Sequence, residues 1–304
     1  MPSAALLPLV AILSQMGRGA HAVHARMPKN FVLEERIERF ADAIEISPET
    51  YRGAWARACH PLVPGHGDQA FRRVHLDLGC GKGAFIVEMA RRHPDTLFLG
   101  VDIEPVCIVY TAQKILGAGL PNAVAVPGSV ERLGSIFAAG ELDSVTLNFP
   151  TPHPKSKHAS ERLVAAGNLS RIRPLLAEGA ELSFRTDSQP LFDYALPQFR
   201  AAGFELTRVE RDDRAARPDM PVTEYESRMG GEGAGVLGLT AVPAGAAPTG
   251  ESLAAARELP QSLVDYLPES LLDDRGAYVP HGMGYAVENL RHRRMRAQMR
   301  APRA

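Results

Sequence analysis

The chain has 304 residues, 45% of them apolar and 23% charged, the balance of a folded globular protein and not of a disordered or fibrous one. A formal net charge of −1 excludes a surface broadly committed to nucleic acid, so any phosphate-binding face has to be a local basic patch. Three cysteines without paired spacing, Cys59, Cys80 and Cys107, make neither a disulfide framework nor a zinc motif and fit a reducing cytoplasm.

The apolar run Ala4–Leu13 is too short to cross a bilayer and is broken by Pro8. It also lacks the basic start of a secretory signal. Residues 1–41 are therefore expected to be an N-terminal extension, with Met27 a candidate start. Residues 31–58 read as helical, with Ser47-Pro48-Glu49 a helix start, and residues 61–69 read as a loop.

From Arg73 the pattern alternates. "RVHLDLG", "TLFLGVDI", "NAVAVPG", "LDSVTLNF", "GAELSFRT", "FELTRVER" and "GVLGLTAV" read as strands. "AFIVEMARRH", "PVCIVYTAQKILGAG", "VERLGSIFAAG", "SERLVAAGNLSRIRPLL" and "QPLFDYALPQFRAAG" read as the helices among them. The alternation predicts an α/β fold, a mainly parallel sheet with helices on both faces. The last two strands have no helix between them and predict an antiparallel edge hairpin. Residues 42–242 are expected to be this domain, and residues 243–304 a linker and basic C-terminal tail. In that tail Arg293, Arg296 and Arg300 fall on one helical face, either an RNA-gripping arm or a solvated end.

"HLDLGCGKG" lies at the first strand-to-helix turn. Gly79, Gly81 and Gly83 allow a tight turn and close backbone approach to a ligand, and the following helix offers free N–H groups. Asp102, closing the second strand, is placed to accept ribose hydroxyls. An adenosine-type cofactor follows, and the spacing nearly fits a dinucleotide fingerprint. Asp77, just before the glycines, is a poor neighbour for a pyrophosphate and a good one for a cationic sulfonium with its amino group. That favours S-adenosylmethionine over NAD.

"NFPTPHPKSKH", Asn148 to His158, follows the fourth strand, where open α/β sheets place their ligands. Its prolines hold extended backbone, and Lys155, Lys157 and His158 are expected to project outward. With Arg162, Arg171 and Arg173, residues 153–173 carry five Lys or Arg against one acid, Glu161. This is the local basic patch, or else a solvated face. Asn148 is expected to bind backbone at the strand end.

That segment resembles the "[SP]DPWPKKRH" signature of the tRNA (guanine-N7)-methyltransferases. "SPETYRGAW", the glycine-turn half, "FRTDSQPLFDYAL" and "PVTEYESR" resemble further segments of that family, in its order, over roughly residues 42–240. The resemblance implies a Rossmann-like class I methyltransferase fold and transfer of a methyl group from S-adenosylmethionine to N7 of a variable-region guanine in tRNA. It implies cofactor contacts at Asp77, Asp102, Ser129 and Thr151. It implies substrate contacts at Lys155, His158, Asp187, Thr223, Glu224, Tyr225 and Glu226. No metal and no membrane partner is expected, and the expected location is the cytoplasm.

Ser129 stands where the family usually has an acidic or amide residue near the adenine, and two further departures matter more. Thr151 stands at the family's catalytic Asp, and His153 at its Trp. Guanine N7 is an acceptor without a proton, so methylation needs no general base, and alignment with electrostatic support is what remains to be supplied. Slowed or re-tuned catalysis is expected at Thr151, with Asp187 or Glu226 able to compensate. The alternatives are a diverged methyltransferase of another RNA or a small molecule, and a non-catalytic tRNA-binding homologue.

Overall fold

The computed structural model describes residues 31–59, 70–231, 233–280 and 282–300. The strands are β1 (Arg73–Leu78), β2 (Thr96–Asp102), β3 (Ala123–Pro127), β4 (Leu142–Asn148), β5 (Leu176–Thr186), β6 (Phe204–Glu210) and β7 (Leu237–Pro243). They form a seven-stranded sheet in the order β3-β2-β1-β4-β5-β7-β6. β1 pairs in parallel with β2 and β4, and β2 with β3. β6 and β7 pair antiparallel at the sheet edge, as expected, but their connection is not helix-free: the short helices Asp213–Ala216 and Glu224–Gly230 lie between them. The winding reverses between β1 and β4, the point where a doubly wound sheet opens a crevice beyond its strand ends.

Helices of seven residues or more are α1 (Leu33–Arg39), α2 (Ala84–Arg92), α3 (Pro105–Ala118), α4 (Ala166–Ile172), α5 (Gln189–Ala201), α6 (Glu224–Gly230), α7 (Gly250–Glu258) and α8 (Gly284–Arg300). β1, β2 and β3 are buried nearly throughout, because helices cover both faces of a central parallel sheet. Proline opens α3 and left-handed Gly119 (φ 61°) closes it. Among the described residues no helix is long and apolar enough to cross a membrane.

The chain divides into two compact units. The first runs to Asn148 and adds residues 171–183 and 219–224. Its core includes Ile37, Phe40, Ile86, Phe98, Ile108 and Ile115. The stretch 31–58 is not one helix run. It breaks into α1, short 3-10 turns and the four-residue helix Trp55–Ala58. Tertiary bonds outcompete helical ones here. Glu45 N–H donates to the Ala125 carbonyl at 2.9 Å, and the Glu141 carboxylate accepts the N–H groups of Gly53, Trp55 and Ala138.

The second unit holds residues 149–170, 184–218 and those from 225 onward. Phe184 and Phe199, 6.3 Å apart, and Phe204 anchor its core. The helix expected over "SERLVAAGNLSRIRPLL" shortens to α4, because Arg162 takes extended backbone and turns its side chain inward. The residues read as a linker carry α7, started by a capping box between Thr249 and Ser252. Ser252 Oγ donates to the Ala201 carbonyl at 3.0 Å, and Gln198 Nε2 to that of Ala256 at 3.2 Å, which ties α7 to α5. Ala4–Leu13, Met27, the loop 61–69 and the side chain of Arg300 lie outside the described residues.

Candidate functional site

The first unit carries the glycine turn. Gly79, Gly81 and Gly83 take φ of 77°, 55° and 76°, the left-handed region that a side chain resists. A Cβ on Gly83 would meet Thr111 Oγ1 at 2.6 Å, so α2 starts pressed against α3. Nothing lies within 4 Å of a Cβ built on Gly81, which leaves space at that bend. Asp102 holds the turn: its Oδ2 accepts the Gly81 N–H at 2.9 Å and its Oδ1 the Glu104 N–H at 2.8 Å. A carboxylate offers about four lone-pair sites, so Asp102 keeps acceptor capacity for hydroxyls. Burial pushes its pKa up to about 6 against those two hydrogen bonds. Ser129 is half-buried beyond β3, before the turn Val130–Arg132, and makes no side-chain cap there.

Asp77 ends a chain of side-chain hydrogen bonds across β1 and β4. In the parallel register His75 lies beside Ser144, and Asp77 beside Thr146. Thr146 Oγ1 donates to Asp77 Oδ1 at 2.7 Å. A hydroxyl has one proton, so His75 Nε2, 3.1 Å from Thr146 Oγ1, must be the donor in that contact. His75 Nδ1 then accepts from Ser144 Oγ at 2.7 Å. Burial drives the His75 pKa down to about 3, so the ring is neutral and this tautomer is fixed. Asn148 adds a second donor, Nδ2 to Asp77 Oδ1 at 3.1 Å. Its side chain therefore serves Asp77, where strand-end backbone was expected. Among the described residues Asn148 Oδ1 is buried without a partner, and both side-chain bonds to Asp77 fall on Oδ1. Two oxygen atoms thus remain as acceptors at the β1 and β4 ends. They fit an ammonium group and do not fit a phosphate. Burial raises the Asp77 pKa to about 6, although Thr146 and Asn148 pull the other way.

The second unit carries Thr151 and most of the substrate positions. Phe149 (φ 50°) and His153 (φ 45°) are the non-glycine residues with left-handed backbone among those described. They bracket exposed Thr151, whose hydroxyl makes no hydrogen bond among the described residues. Such strain concentrates at functional segments. Arg162 is fully buried and braces this loop. Its guanidinium donates to the carbonyls of Pro152 (3.1 Å), His153 (2.7 Å) and Gln261 (2.8 Å) and lies 4.4 Å from the Tyr194 ring centre. It is not part of the basic patch, a correction that composition could not supply. Lys155 and Lys157 are exposed as expected. His158 is half-buried, its Nδ1 2.7 Å from Glu161 Oε1.

Asp187 Oδ2 accepts the Tyr225 hydroxyl at 3.0 Å and the Tyr278 hydroxyl as well. Glu226 is buried and bound by Arg185 and Arg214. Arg185 also donates to Asp213 at 2.8 Å, and Asp213 takes Arg208 and Arg217 too. Burial pushes Asp213 up, but the bonds from Arg217 and Arg208 hold its pKa below the usual carboxylate range. A Cβ on Gly238 would sit 2.3 Å from Asp213, so only glycine leaves that carboxylate room. Glu226 is thus committed to a buried ionic network. In the first unit Glu224 pairs with Lys114, and Thr223 is half-buried beside it in sequence. Sequence reasoning missed His75, Thr146, Arg185 and Tyr278. "SVTLN" did signal same-face spacing of Ser144, Thr146 and Asn148 at period two.

A glycine turn after β1, carboxylates ending β1 and β2, and open acceptors at the switch point suit a nucleoside-type ligand that carries a cationic group. Residues 72–239 match the family described as "Putative methyltransferase", so the chain is of the methyltransferase class. It is 34% identical over 209 residues to a tRNA (guanine-N(7)-)-methyltransferase of Streptococcus equi subsp. zooepidemicus, covering 68% of this chain and 95% of that one. It is 33% identical over 201 residues to the same-named protein of Geobacillus kaustophilus, covering 66% and 88%. The chain belongs to the tRNA (guanine-N7)-methyltransferase family. Among solved structures, an antibiotic related methyltransferase aligns over 57% of this chain and 87% of its own, at 22% identity and a TM-score of 0.43.

Proposed function

We propose that this chain transfers a methyl group from S-adenosylmethionine to N7 of a guanine in the variable region of tRNA, in the cytoplasm. The observation that carries the cofactor half is the pair of open acceptors, Asp77 Oδ2 and Asn148 Oδ1, at the β1–β4 switch point. They attract an α-ammonium group and repel a pyrophosphate. Bound S-adenosylmethionine supplies a methyl group activated by a sulfonium. Asp77 holds its amino group, Asp102 accepts from its ribose hydroxyls, and Gly79, Gly81 and Gly83 let the backbone come close. Ser129 lines the base side with a neutral hydroxyl.

The guanine half rests on Asp187, Lys155 and the stretch Thr223 to Tyr225. Guanine presents N1–H and N2–H, which a carboxylate accepts, and Lys155 meets phosphate. N7 brings its own lone pair, so no residue needs to take a proton, and the work of the protein is alignment. Thr151 offers one neutral hydroxyl where a carboxylate would stabilise the cationic product ring. That observation favours, as a second reading, a methyltransferase re-tuned to another RNA.

The test is methyl transfer from labelled S-adenosylmethionine to unmodified tRNA transcripts, with nucleoside analysis of the product. 7-Methylguanosine that disappears with Asp77→Ala supports the proposal. Cofactor binding without 7-methylguanosine on any transcript refutes it, and methylation of another RNA selects the second reading.

A further inference from the structure

Tyr278 lies beyond residues 72–239, the part of the chain that matches the methyltransferase family. It nevertheless donates its phenolic hydrogen to Asp187, the carboxylate assigned to the guanine edge. Tyr225 donates to the same oxygen, Oδ2, at 3.0 Å. A carboxylate oxygen has two lone pairs, so the two phenols saturate Oδ2. Oδ1 has no hydrogen bond among the described residues. Burial and the Asp187 charge both raise the pKa of Tyr278, so the hydroxyl stays a donor across the physiological range.

Asp187 and Tyr278 both line a cavity of about 200 Å³. Arg211 and Gln189 add polar groups to its wall, and Leu237 and Leu271 add apolar ones. Pockets for drug-sized ligands run to roughly 300–1,000 Å³, so this one suits a single base and not a whole nucleotide. Its mixed wall matches a flat ring with donors on one edge.

We infer that Tyr278 is a positioning residue for substrate recognition: with Tyr225 it clamps Asp187 through Oδ2 and presents Oδ1 to a base-sized cavity that the C-terminal extension helps to build. The inference rests on the tRNA guanine reading above. A carboxylate free to rotate could offer either oxygen at any angle. One clamped by two phenols offers a fixed acceptor, which a guanine N–H satisfies and the bare N1 lone pair of adenine repels. The extension thereby takes part in base selection from outside the matched domain.

The experiment measures 7-methylguanosine formation on tRNA with wild type, Tyr278→Phe, Asp187→Ala and the double variant, with the S-adenosylmethionine KM as a control for intact folding. Tyr278→Phe keeps the ring and removes one charge-assisted hydrogen bond. The expected result is about a tenfold rise in the KM for tRNA with the cofactor KM unchanged. In the Asp187→Ala background the same change is expected to add nothing, which a merely structural tyrosine would not do. An unchanged tRNA KM in Tyr278→Phe, or an equal rise in both backgrounds, overturns the inference alone. A wild type that makes no 7-methylguanosine overturns the tRNA reading and the inference with it.

Discussion

Asn148 Nδ2 donates to Asp77 Oδ1 across the switch point at 3.1 Å, and in doing so leaves its own buried carbonyl oxygen unpartnered. The amide satisfies the carboxylate on one side and offers a second acceptor on the other. Asn148 Oδ1 and Asp77 Oδ2 are left without a donor among the described residues.

Cofactor affinity is expected to depend on pH. Burial places the Asp77 and Asp102 carboxyls at about 6. The anion is the form that attracts an ammonium group, so binding is full above this value and is lost as pH falls through it. Calorimetric titration with S-adenosylmethionine between pH 5 and 8 is expected to show Kd rising by about tenfold per unit below pH 6. Asp77→Asn is expected to bind weakly at every pH and to leave only the shallower dependence that Asp102 contributes.

Thr146→Val removes the hydroxyl that links His75 to Asp77. The variant leaves a buried imidazole N–H without its acceptor, at a cost of about 2 kcal/mol in unfolding free energy. It also takes away a hydrogen bond that favours the Asp77 anion. The midpoint of the cofactor pH profile is expected to move upward, while Thr146→Ser restores it. A profile that does not move would disconnect this hydroxyl from cofactor binding.

At Thr151 the expectation is a gain. The side chain is exposed and makes no hydrogen bond of its own, so a carboxylate fits without displacing one. One preorganised polar group at a reacting centre is worth about 10²–10³ in rate. Single-turnover methylation of tRNA by Thr151→Asp is expected to be faster than wild type by up to about 100-fold. An equal or slower rate would mean that another group already fills the role.

Arg162→Ala is expected to lower stability by about 3 kcal/mol, measured by urea unfolding, because three inward carbonyls lose their donor. Arg162→Lys should rescue little of it, since an ammonium cannot reproduce the planar fork that reaches the Pro152, His153 and Gln261 carbonyls.

Local chemistry made the glycine turn and the carboxylates beside it legible. Three glycines in left-handed backbone, an acid before them and an acid at the next strand end are all short-range signals, and the alternation of β1 to β4 with α2 and α3 is a periodicity. Arg162 was unreadable for the opposite reason. Its burial depends on carbonyls 9, 10 and 99 residues away, so in one dimension it is only another positive charge. Tyr278 is 91 residues from Asp187 and lies in a tail without periodic pattern. The α7 segment hid behind its Ala, Pro and Gly content, and its capping box uses Ser252 where the usual cue is Glu or Gln.

The chain from Ser144 through His75 and Thr146 to Asp77 has a direction. Each O–H or N–H points the same way, so the bond dipoles add and their positive end rests on the carboxylate. A helix sets up such a field along its axis with its own backbone. Here two parallel strands set one up sideways, from three side chains, and only one proton arrangement is compatible with an anionic Asp77. With Thr146 donating to Asp77, His75 must donate to Thr146 and accept from Ser144, which makes the four residues one electrical unit instead of separate contacts.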